Sequence, residues 1–146
     1  IVQMPELREV FFGYFEGHDA PLFIQDIQSK VELKHNLPAG SQEQIEWFMN
    51  KTKNLDPSSM AENYFEFWHR VESGLLKLLN KHAGTNQNIL VVSHGLTIRN
   101  LLHALVEDFE IGEPLDNASV CIVDYHSGAF HLQAYNQTNH FTEEEK

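Results

Sequence analysis

The chain has 146 residues and carries 21 Asp and Glu against 10 Lys and Arg, a formal net charge of −11. That length suits one domain over residues 1–146 with a sizeable core, and 42% hydrophobic with 21% charged residues is ordinary globular composition. The acidic balance argues against nucleic acid and anionic membrane surfaces as partners, since both need a Lys/Arg patch, and no apolar run reaches the roughly 20 residues of a membrane span.

A single cysteine, Cys121, cannot form an internal disulfide. This fits a reducing, cytoplasmic setting. The opening "IVQMPELRE" has no basic region followed by an apolar stretch, so it does not look like a secretory leader. Near the start, Pro5 cuts a short apolar piece, and residues 7–17 are rich in aromatics, with Gly13 and Gly17 four apart. This reads as extended chain entering a tight loop. Residues 21–31 place Leu22, Ile24, Ile27 and Val31 at helical spacing after Pro21, and "LPAG" at 37–40 breaks the pattern.

Residues 41–53 predict a helix, with Ser41 as N-cap and Gln44 three residues on. After the loop "NLDPSS", residues 60–83 form the longest helical pattern, with an apolar stripe of Tyr64, Phe65, Phe67, Trp68, Val71, Leu75, Leu78 and Leu79. Residues 89–92, "ILVV", read as a short strand covered on both faces. Residues 97–106 predict a helix with Ile98, Leu101, Leu102 and Leu105 on one side. Residues 119–124 and 129–135 are two strands joined by "YHSG", and Glu143–Glu145 read as a solvated tail. Helices alternating with strands predict an α/β fold of three layers, α/β/α, around a mostly parallel sheet with an antiparallel edge.

The chemistry-bearing stretch is "ILVVSHGLTIRNLLHAL" over residues 89–105. His94 stands where a strand meets a helix, the place where sites form in parallel sheets. Gly95 leaves the backbone approachable, and the following helix directs free N–H groups to the same spot. Two readings of His94 stand side by side: a phosphate-binding imidazole, and a satisfied histidine at a strand end. Glu9, in "LREVFFGYFEG", also has two readings. Set among Phe11, Phe12 and Phe15, a carboxyl can keep its proton near neutral pH and act as a general acid; the alternative is a surface carboxylate paired with Arg8. The nine histidines form no HExxH or Cys/His cluster, so no metal or cofactor is expected. His69, His82, His126 and His131 read as exposed or core-edge residues. There is no GxSxG, P-loop or GxGxxG.

Four stretches in order, "LREVFFGYFEG", "AENYFEFWHRVESGLLKLL", "ILVVSHGLTIRNLLHAL" and "LDNASVCIVDYHSGAFHLQAYNQTNH", give the chain a resemblance to the histidine phosphatase superfamily, which includes the cofactor-dependent phosphoglycerate mutases. The resemblance implies a small phosphorylated substrate and a phosphohistidine intermediate. It also implies that Glu9 is the acid, that His94 is the second histidine, and that the backbones of Gly95 and Leu96 touch the phosphate. The family's nucleophile lies in an Arg-His-Gly motif, and none occurs in these 146 residues. The first strand and the nucleophile are therefore expected to precede Ile1. In their absence the 89–92 strand lacks a neighbour, which a partner copy in a homo-oligomer can supply. "IGEPLDNASVCIV" is closer to the family's phosphatases than to the "PTG-PL" of the mutases, so hydrolysis is expected over mutase chemistry. A non-catalytic phosphate-binding module is the other alternative.

Overall fold

The computed structural model of the chain describes residues 1–19, 23, 25, 27, 41–112 and 114–142, with the side chains of 141 and 142 left aside. Of the helix expected over residues 21–31, Phe23, Gln25 and Ile27 are described, and each is helical. Leu22, Ile24 and Val31, the break at 37–40 and the tail Glu143–Glu145 lie outside the described residues.

Helix α1 spans Gln42–Leu55, and Ser41 caps it by accepting from the Gln44 N–H at 3.2 Å. Helix α2 spans Tyr64–His82. It begins four residues later than expected because Asn63 and Glu66 form a reciprocal capping box: Asn63 Oδ1 accepts from the Glu66 N–H at 2.8 Å, and Glu66 Oε2 accepts from the Asn63 N–H at 2.9 Å. The residues before Asn63 are consumed in a loop organised by Asp56. Its carboxylate accepts from the N–H groups of Tyr14, Ser58, Met60 and Ala61. Gly13, at φ +61°, lies against that carboxylate, and a Cβ built there would come within 2.1 Å of Asp56 Oδ2. Only glycine fits both the backbone angle and the space.

Helix α3 covers Gly95–Leu105, two residues longer at its start than the apolar pattern indicated. Strands β1, Val120–His126, and β2, Ala129–Gln137, form an antiparallel hairpin. Its loop is Ser127-Gly128 alone. Both residues have positive φ, 53° and 81°, the two-residue turn that matches strand twist. Tyr125 and His126, expected in the loop, are therefore in the ladder. A short helix α4, Asn139–Thr142, follows.

The core is where the N-terminal segment meets the helices. Leu7 and Val10 pack with Met49 of α1 and with Phe67 and Val71 of α2, and Leu96 and Leu101 of α3 lie against this cluster. Gly74 lets α2 approach the 3-10 turn at Pro5–Leu7: a Cβ at Gly74 would lie 2.8 Å from the Cβ of Glu6. The arrangement is a mixed α/β chain in which Leu7 and Val10 anchor the backbone on either side of Glu9.

Residues 89–92 differ from expectation. They belong to no strand, and they are exposed, Leu90 by 88% and Val92 by 86%. A strand exists only through a ladder partner, and among the described residues none pairs with this run. The described sheet contains β1 and β2 alone. No helix among the described residues is long and apolar enough to cross a membrane.

Candidate active site

His94 is the N-cap residue of α3, with φ −124° and ψ 161°, and its carbonyl accepts the Ile98 N–H at 2.8 Å. Its imidazole makes no capping bond and the residue is exposed. The amides that a side-chain cap would satisfy are taken instead by a residue far away in sequence. Glu9 Oε2 accepts from the Leu96 N–H at 3.1 Å, and Glu9 Oε1 accepts from the Thr97 N–H at 3.2 Å. The Thr97 hydroxyl lies 3.0 Å from both Glu9 Oε1 and the Arg8 carbonyl, so one proton serves two acceptors. The Val10 N–H adds a contact to Oε1 at 3.1 Å. Glu9 thus sits at the amino-terminal end of α3 and occupies N–H groups that have no partner within the helix. The expected setting among the Phe11, Phe12 and Phe15 rings is not what holds it: both oxygens are held by N–H and O–H donors.

The Glu9 side chain and the His94 turn therefore converge. Glu9 meets the backbone two and three residues after His94. Gly95 opens the helix beside them, and among the described residues a Cβ there would meet nothing within 4 Å. The Leu96 N–H, expected on phosphate, donates to Glu9. Ser93 fastens the other side, its Oγ donating to the Leu7 carbonyl at 2.6 Å.

Arg8 is not Glu9's ion partner. It forms a bidentate pair with Glu62, Nη1 to Oε2 and Nη2 to Oε1, each 2.9 Å. Arg70 of α2 grips the same carboxylate, and the Phe11 N–H donates to it at 2.9 Å. Burial opposes ionisation of Glu62, but hydrogen bonds from Arg70, Phe11 and Arg8 outweigh it and hold its carboxyl below the usual range. No motif in the sequence singles out Thr97, Glu62 and Arg70. The signal available is polar residues in apolar surroundings: Thr97 of α3 is fully buried, and Arg70 of α2 and Glu62, two residues before that helix, expose only 16% and 11% of their side chains.

Two surface hollows lie elsewhere. One of about 560 Å³ is bounded by residues 103–110, and one of about 340 Å³ lies along α2 between His69 and Asn80. Neither includes Glu9 or His94. Among the described residues no group of three or more His, Cys, Asp or Glu is placed to hold a metal ion.

The sequence pattern of the histidine phosphatase superfamily (branch 1) matches residues 1–138. The chain belongs to this superfamily. No curated protein and no solved structure matches it. Histidine phosphatase superfamily members include phosphatases and mutases, and the match spans the Glu9 segment, Glu62 with its partner Arg70 of α2, the His94 turn and the terminal hairpin.

Proposed function

We propose that this histidine phosphatase superfamily chain carries the acid and phosphate-holding half of a phosphomonoester hydrolase that acts on small phosphorylated metabolites. The observation that supports this most is the placement of the Glu9 carboxylate on the Leu96 and Thr97 amides, two and three residues after His94. A carboxyl, an imidazole and a helix amino terminus then share one small region, the set of groups phosphoryl transfer needs for proton donation and charge stabilisation.

In the proposed reaction an imidazole nitrogen attacks phosphorus and the P–O ester bond breaks. The departing oxygen takes the proton of the Glu9 carboxyl. Water then attacks the phosphohistidine, its proton passing to the Glu9 carboxylate, and orthophosphate leaves. His94 donates a hydrogen bond to a non-bridging oxygen, and the Gly95 backbone borders the phosphoryl group. Oε1 of Glu9 has three contacts and Oε2 one, so Oε2 is the oxygen with room for the transferred proton. The attacking histidine is not in an Arg-His-Gly motif of these 146 residues. The proposal requires it from sequence outside them, within a three-layer fold in which residues 89–92 gain ladder partners. Hydrolysis is favoured over mutase chemistry by the "IGEPLDNASVCIV" stretch.

The test is an assay of the full-length polypeptide against a panel of phosphorylated metabolites, with Glu9→Gln and His94→Ala beside it. Each substitution is expected to lower turnover by a factor on the order of 10² or more. Parent-like turnover in either variant removes that residue from the mechanism. Phosphate transfer that depends on a bisphosphoglycerate primer, without net hydrolysis, would favour the mutase.

A further inference from the structure

Arg70 of α2 uses every donor it has. Its Nε donates to Glu62 Oε1 at 2.7 Å, and one Nη2 hydrogen goes to Glu62 Oε2 at 2.9 Å. The other three N–H groups go to main-chain carbonyls: Nη1 to Glu6 at 2.7 Å and to Arg8 at 3.0 Å, and Nη2 to Glu9 at 3.4 Å. A guanidinium has five N–H donors in a fixed plane, so this set exhausts it. The three carbonyls belong to the segment from which the Glu9 side chain departs. Glu62 holds the guanidinium in place, and the Arg8 and Phe11 contacts to the same carboxylate tie it to both flanks of Glu9.

We propose that Arg70, oriented by Glu62, is a positioning residue for Glu9: it fixes the backbone of residues 6–9 so that the carboxylate reaches the Leu96 and Thr97 amides beside His94. Its link to turnover rests on the reading of Glu9 as the acid; the positional claim does not. The mechanism is geometric. Leu7 and Val10 bury side chains but leave the carbonyls of residues 6, 8 and 9 needing partners. Arg70 meets all three from one rigid plane, sharing the Arg8 carbonyl with the Thr97 hydroxyl at 3.0 Å and the Glu9 carbonyl with Arg8 Nη1 at 2.8 Å. A lysine can keep the ion pair with Glu62, but it has three donors on one nitrogen and cannot also span three carbonyls.

Amide hydrogen exchange of the full chain tests this without activity. Arg70→Lys, and Glu62→Gln as a second variant if the first does not fold, are compared with the parent and with Glu9→Gln. The expected result is faster exchange at Leu96 and Thr97, by roughly tenfold or more, with Phe67 and Val71 in α2 unchanged. In the full-length polypeptide the same variants are expected to lower kcat with KM retained. Parent-like exchange at Leu96 and Thr97, or an equal acceleration at Phe67 and Val71, overturns the proposal, since the second result is general destabilisation. If Glu9→Gln turns over normally, the acid reading fails while the exchange data still decide whether Arg70 holds Glu9.

Discussion

Glu9 and Thr97 are 88 residues apart in sequence, yet the carboxylate of the first accepts both the N–H, at 3.2 Å, and the hydroxyl, at 3.0 Å, of the second. This pair joins the amino-terminal segment to the start of α3 and brings the acid candidate to His94. Thr97 also reaches the Arg8 carbonyl, so its hydroxyl serves the backbone and the side chain of the same segment.

Thr97→Val keeps the shape and removes the hydroxyl. Thr97 is fully buried, so the Arg8 carbonyl and Glu9 Oε1 each lose a donor away from water. The expected destabilisation is about 1–2 kcal/mol in denaturant titrations. In the full-length polypeptide, turnover is expected to fall while His94 stays in place. Unchanged stability would mean the hydroxyl contributes nothing to the junction.

Acid sensitivity is expected from the Asp56 loop. Burial opposes ionisation of Asp56, but hydrogen bonds from the Ala61 N–H, the Ser58 hydroxyl and N–H, and the Tyr14 N–H outweigh it and hold the carboxyl far below the usual range. A carboxyl with a depressed folded-state pKa contributes stability that is full above its unfolded value, about 3.9, and is lost as the pH falls below that. The melting temperature of Asp56→Asn is expected below the parent's at pH 7, with the gap closing towards pH ~2. Glu62, also depressed, keeps part of the slope in the variant. A gap that is constant from neutral to acid pH would contradict this account.

Gly74→Ala sets two effects against each other. Alanine favours a helix over glycine by about 1 kcal/mol. The new methyl, however, would lie 2.8 Å from Glu6 Cβ and 3.0 Å from Leu7 Cδ2, and overpacking of that kind costs about 1–3 kcal/mol. Net destabilisation is expected, read as a lower denaturation midpoint, because the Glu6 Cβ is fixed to the backbone and Leu7 is in the core. A stabilised variant would show that α2 and the Pro5–Leu7 turn can separate freely.

Local signals in the chain were readable where they act over a few residues. Ser41 capped α1 as its type and the Gln44 spacing indicated. The apolar stripe puts the start of α2 too early because it does not reveal that Asn63 and Glu66 lock each other. Residues 89–92 have a strand's composition, but a ladder partner cannot be read from four apolar residues. The hairpin was visible, while its loop was tighter than "YHSG" indicated because Ser127 takes a left-handed backbone angle usually left to glycine or asparagine. His94, Gly95 and Glu9 were each visible as types at suggestive positions. What joins them was not, since the Glu9–Thr97 and Arg70–Glu6 contacts span 88 and 64 residues. The aromatic neighbours of Glu9 suggested an apolar pocket, whereas its side chain turned to the amides of α3.

The central proposal is one phosphoryl site shared by His94, Glu9 and the first turn of α3. The most direct measurement is a structure of the full-length polypeptide with tungstate bound. The expected result is the oxyanion within hydrogen-bond reach of the His94 ring and the Gly95 backbone, with the Glu9 carboxyl beside it. An oxyanion bound elsewhere, in the hollow at residues 103–110 for example, with His94 and Glu9 untouched, would contradict it.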